Sequence, residues 1–355
     1  MLNRLLLLIL SGALLMQCAP ADSTPQALCM VIPKNAERNI ASRAELRACQ
    51  TEWVNTAQTP VYFRLAASQR ERWREYIGEE LWAEYARRTS ARVLETGQVS
   101  LQLEYRDYVR LRAALRHADI RAGLSGAEER VLQVLEQRTR EILRPGMSDF
   151  EKVVALHDAL VQQSRYNAGA GGNIEDLLTK GCGSCEAYSS TLCIMLDIAG
   201  VPSRLVTGTA DGPHAWNLVQ VDGEWYHVDA TWDDPVVGDG SRQILQHSYC
   251  FCNDEEMSRT HRWERSDYPS CDSRTAFYYR RSGLYFTRPD AYWKAALAAY
   301  ARGEGCFEGY LTTYGSARQF QKVLEVTPSD DAPSQIRWTG PETESGTVMM
   351  SFGSN

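Results

Sequence analysis

The fold is decided by the stretch His214-Ala215-Trp216-Asn217-Leu218-Val219-Gln220-Val221, followed by Asp222-Gly223 and then Glu224-Trp225-Tyr226-His227-Val228-Asp229-Ala230-Thr231. Two runs rich in β-branched and aromatic residues flank the Asp-Gly pair. Asp-Gly between such runs is the strongest short-range signal for a two-residue hairpin turn. The sequence therefore predicts an antiparallel hairpin that turns at residues 222–223.

The turn also fixes which residues face each other across the hairpin. Side chains alternate between the two faces, so His214 and Asp229 project from the same face as diagonal neighbours. Their backbones would lie about 7–8 Å apart, a gap that two side chains can close to a hydrogen bond. A register slip of one residue would place them on opposite faces. The expected pairs are Val221 with Glu224, Gln220 with Trp225, Leu218 with His227, Trp216 with Asp229, Ala215 with Ala230, and His214 with Thr231.

A cysteine stands at the start of a predicted buried helix. Gly181-Cys182-Gly183-Ser184-Cys185 leads into an apolar stretch over 189–198, which Gly200 ends. In the first turn of a helix, unpaired amide groups and the helix dipole favour a thiolate and can bind an oxyanion. We therefore interpret Cys185 as a nucleophile, His214 as its base and Asp229 as the group that orients the base. A buried structural cysteine is the plainer alternative.

Other residues of this region are interpreted mainly as structural, with His227 as a less favoured alternative for the base. His227 shares the face of His214 but lies opposite Leu218 with no acid expected beside it. Asp233 and Asp234 follow the strand, where acids usually form turns, and nothing gives them metal-ligand spacing. The glycine-rich stretch 169–172 follows no predicted strand, so it is interpreted as a loop and not as a phosphate site.

Cys182 and Cys185 form a Cys-x-x-Cys pair, which by itself indicates a thiol-disulfide enzyme. A thioredoxin-like protein needs a strand just before this pair, and residues 176–180 offer at best a weak one. Redox exchange therefore remains an alternative. A further hypothesis is that a Cys182–Cys185 disulfide holds the nucleophile inactive until it is reduced.

The flanking segments predict mixed α+β structure. Residues 60–107 are expected to form a β-α-β unit with strands over 61–65 and 99–105 and a helix over 68–89. Ser125 and Glu128 form a capping box before a helix over 128–143, and a second helix begins at Ser148-Asp149. Beyond 282 we expect a helix over 290–302, a strand over 306–313, a helix over 316–326 and strands over 335–339 and 346–352.

The amino terminus predicts export. Arg4 precedes an apolar run over 5–16, which is short for a bilayer span and typical of a signal peptide. Ala19-Pro20-Ala21 has the form of a cleavage site, whereas Leu15-Met16-Gln17-Cys18 resembles a lipoprotein signal that would lipidate Cys18. We expect a periplasmic or cell-envelope protein, with membrane attachment through Cys18 as an open alternative. In such a compartment six cysteines are disulfide candidates: Cys29, Cys49, Cys250, Cys252, Cys271 and Cys306.

The motifs together resemble the transglutaminase-like core, in particular that of bacterial cell-surface proteins. They are Gly183-Ser184-Cys185-Glu186-Ala187-Tyr188, Thr207-Gly208-Thr209-Ala210, His214-Ala215-Trp216-Asn217, residues 225–235, Met147 to Lys152 with His157-Asp158, and Asp254-Glu255-Glu256-Met257 with His261-Arg262-Trp263. The resemblance covers about residues 125–285. It implies a papain-like α+β fold with the nucleophile at Cys185, the base at His214 and the acid at Asp229. It also implies amide chemistry through a thioester, namely acyl transfer, deamidation or proteolysis.

These observations define one set of expectations. The division is a signal peptide over 1–21, an N-terminal α+β segment over 22–124, a core over 125–282 and a C-terminal α+β segment over 283–355. The substrate is expected to be a protein or peptide, with cell-wall peptide as one option, and no cofactor or metal is required. A net charge of −7 disfavours a nucleic-acid partner. A non-catalytic binding module on the same fold is the alternative of a different class.

Overall fold

In the described part of the chain, three antiparallel or largely antiparallel sheets, a two-stranded parallel sheet and the helices packed on them make up an α+β fold. The computed structural model describes residues 6–10, 38–77, 82, 84–235, 244–312, 335–339 and 346–353, with the backbone alone over 6–10, 335–339 and 353. Within these residues no helix has the length and apolar character needed to cross a bilayer.

The first sheet has five strands in the order β1-β4-β5-β3-β2. Its strands β3 and β5 are confirmed where the sequence predicts strands. Because β1 pairs with β4, loss of residues 1–21 as a signal peptide would leave β4 at the sheet edge. The signal peptide itself stays a prediction. Cys18 lies outside the described residues. The elements are β1 (Leu6–Leu10), β2 (Asn39–Ile40), α1 (Arg43–Asn55), β3 (Val61–Leu65), α2 (Arg74–Ile77), β4 (Ala86–Val93) and β5 (Gln98–Tyr105).

The helix predicted over 68–89 is wrong in its extent. A 3-10 turn over Ala67–Arg72 and the four-residue α2 replace its first half, and β4 begins at Ala86. Within β4, Thr89 and Ala91 are buried while neighbouring arginines are exposed. Seven residues of β4 pair with β5, so tertiary pairing outweighs the weak local strand propensity.

A helical layer connects this sheet to the core. The predicted capping box at Ser125 is present, and Ser148 forms a second one: each serine accepts from a backbone amide three residues on, and the glutamate there returns the bond. Arg112 pairs with Asp197 at 2.6 Å and so joins the layer to the helix that begins at Cys185. The helices are α3 (Asp107–Arg116), α4 (Ala118–Ala122), α5 (Gly126–Ile142) and α6 (Asp149–Gln163).

Short elements lead into the nucleophile helix. The weak strand considered over 176–180 is wrong, because these residues belong to a helix. The two-residue strand after it contains Cys182 and pairs in parallel with its partner after α6. The stretch 169–172 is a loop, as predicted. The elements are β6 (Arg165–Tyr166), α7 (Ile174–Lys180), β7 (Cys182–Gly183) and α8 (Cys185–Ile198).

The second sheet has the order β11-β10-β9-β8 and packs against α8. The predicted hairpin register is confirmed from Val221 opposite Glu224 to Leu218 opposite His227, and Asn217 pairs with Val228. Asp222 and Gly223 both have positive φ, of 54° and 85°, as the predicted turn requires. The strands are β8 (Ser203–Thr209), β9 (Pro213–Val221), β10 (Glu224–Val228) and β11 (Cys250–Cys252).

A third sheet, in the order β12-β13-β15-β14, closes the chain. The predicted helix over 290–302 and the strands near 306, 335 and 346 are confirmed, whereas the helix predicted over 316–326 lies outside the described residues. The elements are α9 (Asp254–Met257), α10 (Tyr278–Arg281), β12 (Tyr285–Phe286), α11 (Pro289–Ala301), β13 (Cys306–Leu311), β14 (Gln335–Thr339) and β15 (Thr347–Gly353).

Four of the six disulfide candidates are free thiols in the described part of the chain. Cys49, Cys250, Cys252 and Cys271 are buried thiols, and Cys29 lies outside the described residues. Cys306 is exposed at the start of β13. The buried thiols therefore pack as small apolar side chains.

Candidate active site

Cys185 is the first residue of α8, as the sequence predicts. Side chains from Ala187 to Leu196 on this helix are buried, which fixes the helix firmly in the core. The N-cap residue Ser184 has an extended backbone but makes no side-chain capping bond, in contrast to Ser125 and Ser148. The amide groups of the first turn, which have no partner within the helix, are therefore not taken up by the cap side chain.

His214 lies near the start of β9 and joins Cys185 to Asp229. Its Nε2 is 2.7 Å from Oδ2 of Asp229, and its ring also forms a hydrogen bond with Cys185. Because Nε2 is engaged with the carboxylate, Nδ1 is the nitrogen left for the sulfur. Burial disfavours a charge on this ring, but the hydrogen bonds to Asp229 and Cys185 outweigh burial and raise the pKa of His214 to about 10.

Asp229 is the first residue after β10, one position beyond the paired hairpin. Its Oδ1 accepts from the backbone amides of Thr231 at 2.9 Å and Trp232 at 3.2 Å. Burial alone would raise its pKa, but hydrogen bonds from two imidazoles hold the pKa of Asp229 well below its ordinary value. The group is therefore an ionised, acceptor-only carboxylate at neutral pH.

The second of these imidazoles belongs to His261, to which the sequence assigned no role. His261 Nε2 lies 3.0 Å from Oδ2 of Asp229, the oxygen that His214 also contacts. The two residues are 32 positions apart, and no local periodicity links them. The only sequence signal was the His261-Arg262-Trp263 motif.

Tryptophan rings surround the His214 imidazole. Trp216 stacks with it at a centroid distance of 5.8 Å, and Trp232 lies at 6.3 Å on another side. The side chain of His214 retains only 4% of its exposure. These rings exclude water from the imidazole, which strengthens its hydrogen bond with Asp229.

His227 is structural, but the reason given from the sequence is wrong. An acid does lie beside it: His227 Nε2 is 2.8 Å from Oδ1 of Asp254. Its Nδ1 accepts from the indole Nε1 of Trp216 at 2.9 Å. Both ring nitrogens are therefore engaged in the packing that supports Trp216, and neither faces Cys185.

Asp233 and Asp234 lie in a turn, as expected, and both side chains are buried. Asp234 accepts from the Tyr188 hydroxyl and from the Tyr166 amide. Asp233 accepts from the Tyr249 amide at 2.9 Å, and its other oxygen lies 3.2 Å from His157 Nε2. Burial raises the pKa of Asp233 to about 6.

Three groups in the described part of the chain bring metal-ligating atoms within 4.8 Å of one another. They are His214 with Asp229 and His261, His157 with Asp158 and His247, and His227 with Asp254 and Cys271. In each group the same atoms are engaged in hydrogen bonds within the group. Hydrogen bonding thus accounts for their proximity without an ion.

The family comparison places this geometry among known proteins. The model described as the Transglutaminase-like superfamily matches residues 136–230, a segment that contains Cys185, His214 and Asp229. The chain has a transglutaminase-like core. Residues 136–230 are therefore similar to the transglutaminase-like superfamily, as the motifs in this segment predicted.

Individual relatives of the transglutaminase-like chain are distant. Kyphoscoliosis peptidase of Mus musculus is 24% identical over 158 residues, which are 39% of this chain and 22% of that protein. This chain therefore spans 22% of the length of that curated relative.

Two solved structures show local likeness. A crystal structure of a TGase is 12% identical with a TM-score of 0.27, covering 59% of this chain and 62% of its own. The periplasmic domain of TgpA from Pseudomonas aeruginosa is 16% identical with a TM-score of 0.25, covering 40% and 62%. At these TM-scores the two structures add no argument to the assignment.

Proposed function

We propose that this transglutaminase-like chain is a thiol enzyme that acts on amide bonds through Cys185, His214 and Asp229. One observation carries the proposal: a hydrogen-bonded series runs from Cys185 at the start of α8 through the His214 ring to Asp229. A nucleophile, a base and a group that orients the base in this order form the arrangement used for nucleophilic acyl transfer.

The resting state follows from the charges. Since the His214 ring has a pKa of about 10, it carries a proton at neutral pH, and a protonated imidazole beside Cys185 favours the thiolate. The thiolate attacks the amide carbon of the substrate, and the carbonyl oxygen becomes an oxyanion. Amide groups at the start of α8 are the donors proposed to bind it.

The second half of the reaction returns the enzyme to its starting state. His214 gives its proton to the leaving amine as the C–N bond breaks, which leaves a thioester on Cys185. Water or a second amine then attacks the thioester, and His214 accepts the proton of the attacking group. Asp229 keeps the Nε2–H of His214 directed at itself, so Nδ1 stays toward the sulfur throughout.

The proposed substrate is a protein or peptide, and cell-wall peptide is one option if the chain is exported. The name of the mouse relative, a peptidase, accords with amide chemistry. Export rests on the amino-terminal sequence, as does the alternative of a lipid anchor at Cys18. Attack by water would give hydrolysis or deamidation, and attack by an amine would give cross-linking.

A casein assay tests the activity and separates these outcomes. The protein is incubated with dimethylcasein and dansylcadaverine to detect acyl transfer, and with fluorescein-labelled casein to detect peptide release. We expect one of the two signals from the wild type and its loss in Cys185→Ala and Asp229→Asn. His117→Gln is the control, since His117 lies between α3 and α4, outside the site. Equal signals from the wild type and Cys185→Ala would contradict the proposal.

A further inference from the structure

His261 gives Asp229 a second imidazole that no step of the proposed reaction uses. Oδ2 of Asp229 lies 2.7 Å from Nε2 of His214 and 3.0 Å from Nε2 of His261. Oδ1 accepts two backbone amides. A carboxylate offers about four acceptor positions, so this one is fully occupied.

The orientation of the His261 ring is set from its other side. Its Nδ1 lies 2.8 Å from the Thr260 hydroxyl, which is in turn hydrogen-bonded with Tyr249. Because Asp229 can only accept, Nε2 of His261 carries the proton in this contact. The ring is fully buried, with Trp232 at 4.7 Å and Trp216 at 5.0 Å.

The backbone holds His261 at this place by a specific contact with the sheet. Arg262 forms an antiparallel bridge with Thr209 on β8, with N–O distances of 2.8 and 2.9 Å. The strand residue beside it, Gly208, pairs with His214 and has no room for a Cβ against the Arg262 carbonyl. The segment that carries His261 is thus docked against the strand that pairs with His214.

We propose that His261 is a positioning residue: by sharing Oδ2 of Asp229, it weakens the support that this carboxylate gives to the protonated ring of His214. This inference rests on the proposed function. Two donors share one carboxylate oxygen, so the His261 bond makes Oδ2 of Asp229 a weaker acceptor for His214. A neutral His261 acts through its N–H dipole and a protonated one through its charge, and both lower the affinity of His214 for its proton.

The consequence is a balance between two needs of the reaction. His214 must hold a proton to stabilise the thiolate, and it must release that proton to the leaving amine. A carboxylate with one imidazole would stabilise the imidazolium more strongly and slow the release. His261 therefore favours turnover while the backbone amides on Oδ1 keep the carboxylate in place.

The test uses the full-length chain and the pH dependence of Cys185 alkylation by iodoacetate. The imidazolium attracts this anionic reagent, so the alkaline limb of the rate profile reports loss of the His214 proton. Rapid mixing limits the time spent at high pH. The variants are His261→Phe, which lacks a donor, and His261→Gln, whose amide can donate from nearly the same position. His117→Phe is the control for an unrelated histidine.

We expect the midpoint of the alkaline limb of His261→Phe to move to higher pH by about 0.5–1 pH units, which is equivalent to one net hydrogen bond. The limb of His261→Gln should stay within about 0.3 units of the wild type, well short of that shift. In the casein assay the loss should appear in kcat and not in KM. An unchanged limb in His261→Phe, or a shift to lower pH, would overturn the inference.

Failure of the proposed function is distinguishable. If the wild type shows no alkaline limb, or if His214→Ala leaves that limb unchanged, the triad itself is wrong. If that limb is present and His261→Phe and His261→Gln share it unchanged, the triad stands and His261 is only structural. Unfolding curves of both His261 variants identify any loss that comes from instability.

Discussion

Tyr188 donates its hydroxyl to Oδ2 of Asp234 at 2.6 Å, and both side chains are buried. Tyr188 lies one turn after Cys185 on α8, and Asp234 lies five residues after Asp229. The bond thus joins the helix of the proposed nucleophile to the segment of the proposed acid. Asp234 also accepts from the Tyr166 amide at 3.0 Å, which extends the link to β6.

Removing this link should destabilise the protein. Tyr188→Phe leaves a buried carboxylate oxygen with one partner fewer, and hydrogen bonds to charged groups contribute about 1.5–3 kcal/mol. We expect the free energy of unfolding, measured in urea, to fall by about that amount. Tyr226→Phe is the matched control, because the Tyr226 hydroxyl is also buried in hydrogen bonds but with the neutral hydroxyls of Ser273 and Thr275. A loss for Tyr188→Phe no larger than for the control would contradict the prediction.

Gly208 should not tolerate a side chain. A Cβ there would overlap the carbonyl oxygen of Arg262 and lie 2.8 Å from Cη2 of Trp216. Gly208→Ala should therefore lower the free energy of unfolding by about 1–3 kcal/mol and slow the alkylation of Cys185. Gly305→Ala, with nothing within 4 Å of the new Cβ, should change neither quantity. Equal free energies of unfolding and equal rates of Cys185 alkylation in the two variants would show that the Arg262 segment is not tightly docked.

Stability should fall at alkaline pH partly through His247. Burial disfavours its charge, but hydrogen bonds to Asp158 and Glu308 outweigh burial and raise the pKa of His247 to about 10. An unfolded histidine has a pKa of about 6.5, so the stabilisation is complete below about 6.5 and is lost as pH rises to about 10. Urea unfolding at several pH values should show a shallower alkaline decline for His247→Gln. The same slope in both proteins would contradict the assignment.

Cys185 should be reactive without prior reduction. Cys182 and Cys185 are both free thiols in the structure, and a helix, α7, stands where a thioredoxin-like protein needs a strand. Protein purified without reductant should label at Cys185 at the same rate before and after dithiothreitol, and Cys182→Ser should behave alike. A mass two hydrogens lower, with labelling restored by reductant, would support the disulfide hypothesis instead.

The hairpin was predictable because its determinants are local. Asp222 and Gly223 adopt the positive φ values of the turn, and the strand residues on either side then pair in sequence. The helix start at Cys185 was predictable for the same reason. Ser184, the glycines before it and the apolar residues after it lie within one short stretch.

The surroundings of Asp229 were not predictable in this way. The bond from His261 joins residues 32 positions apart, and the contact between His157 and Asp233 joins residues that share no element. Strand β4 was missed because aromatic residues at helical spacing precede it, while its own arginines and small residues have low strand propensity. Its structure comes from pairing with β5, which the sequence of β4 alone does not reveal.

The rate of Cys185 alkylation by iodoacetate at neutral pH, in the wild type, His214→Ala and Asp229→Asn, tests the central claim most directly. We expect His214→Ala to react about 10²-fold or more slowly, because the thiolate loses its cationic partner. Asp229→Asn should lie between the two. Alkylation of all three proteins at one rate would contradict the account and favour a non-catalytic module on a transglutaminase-like fold.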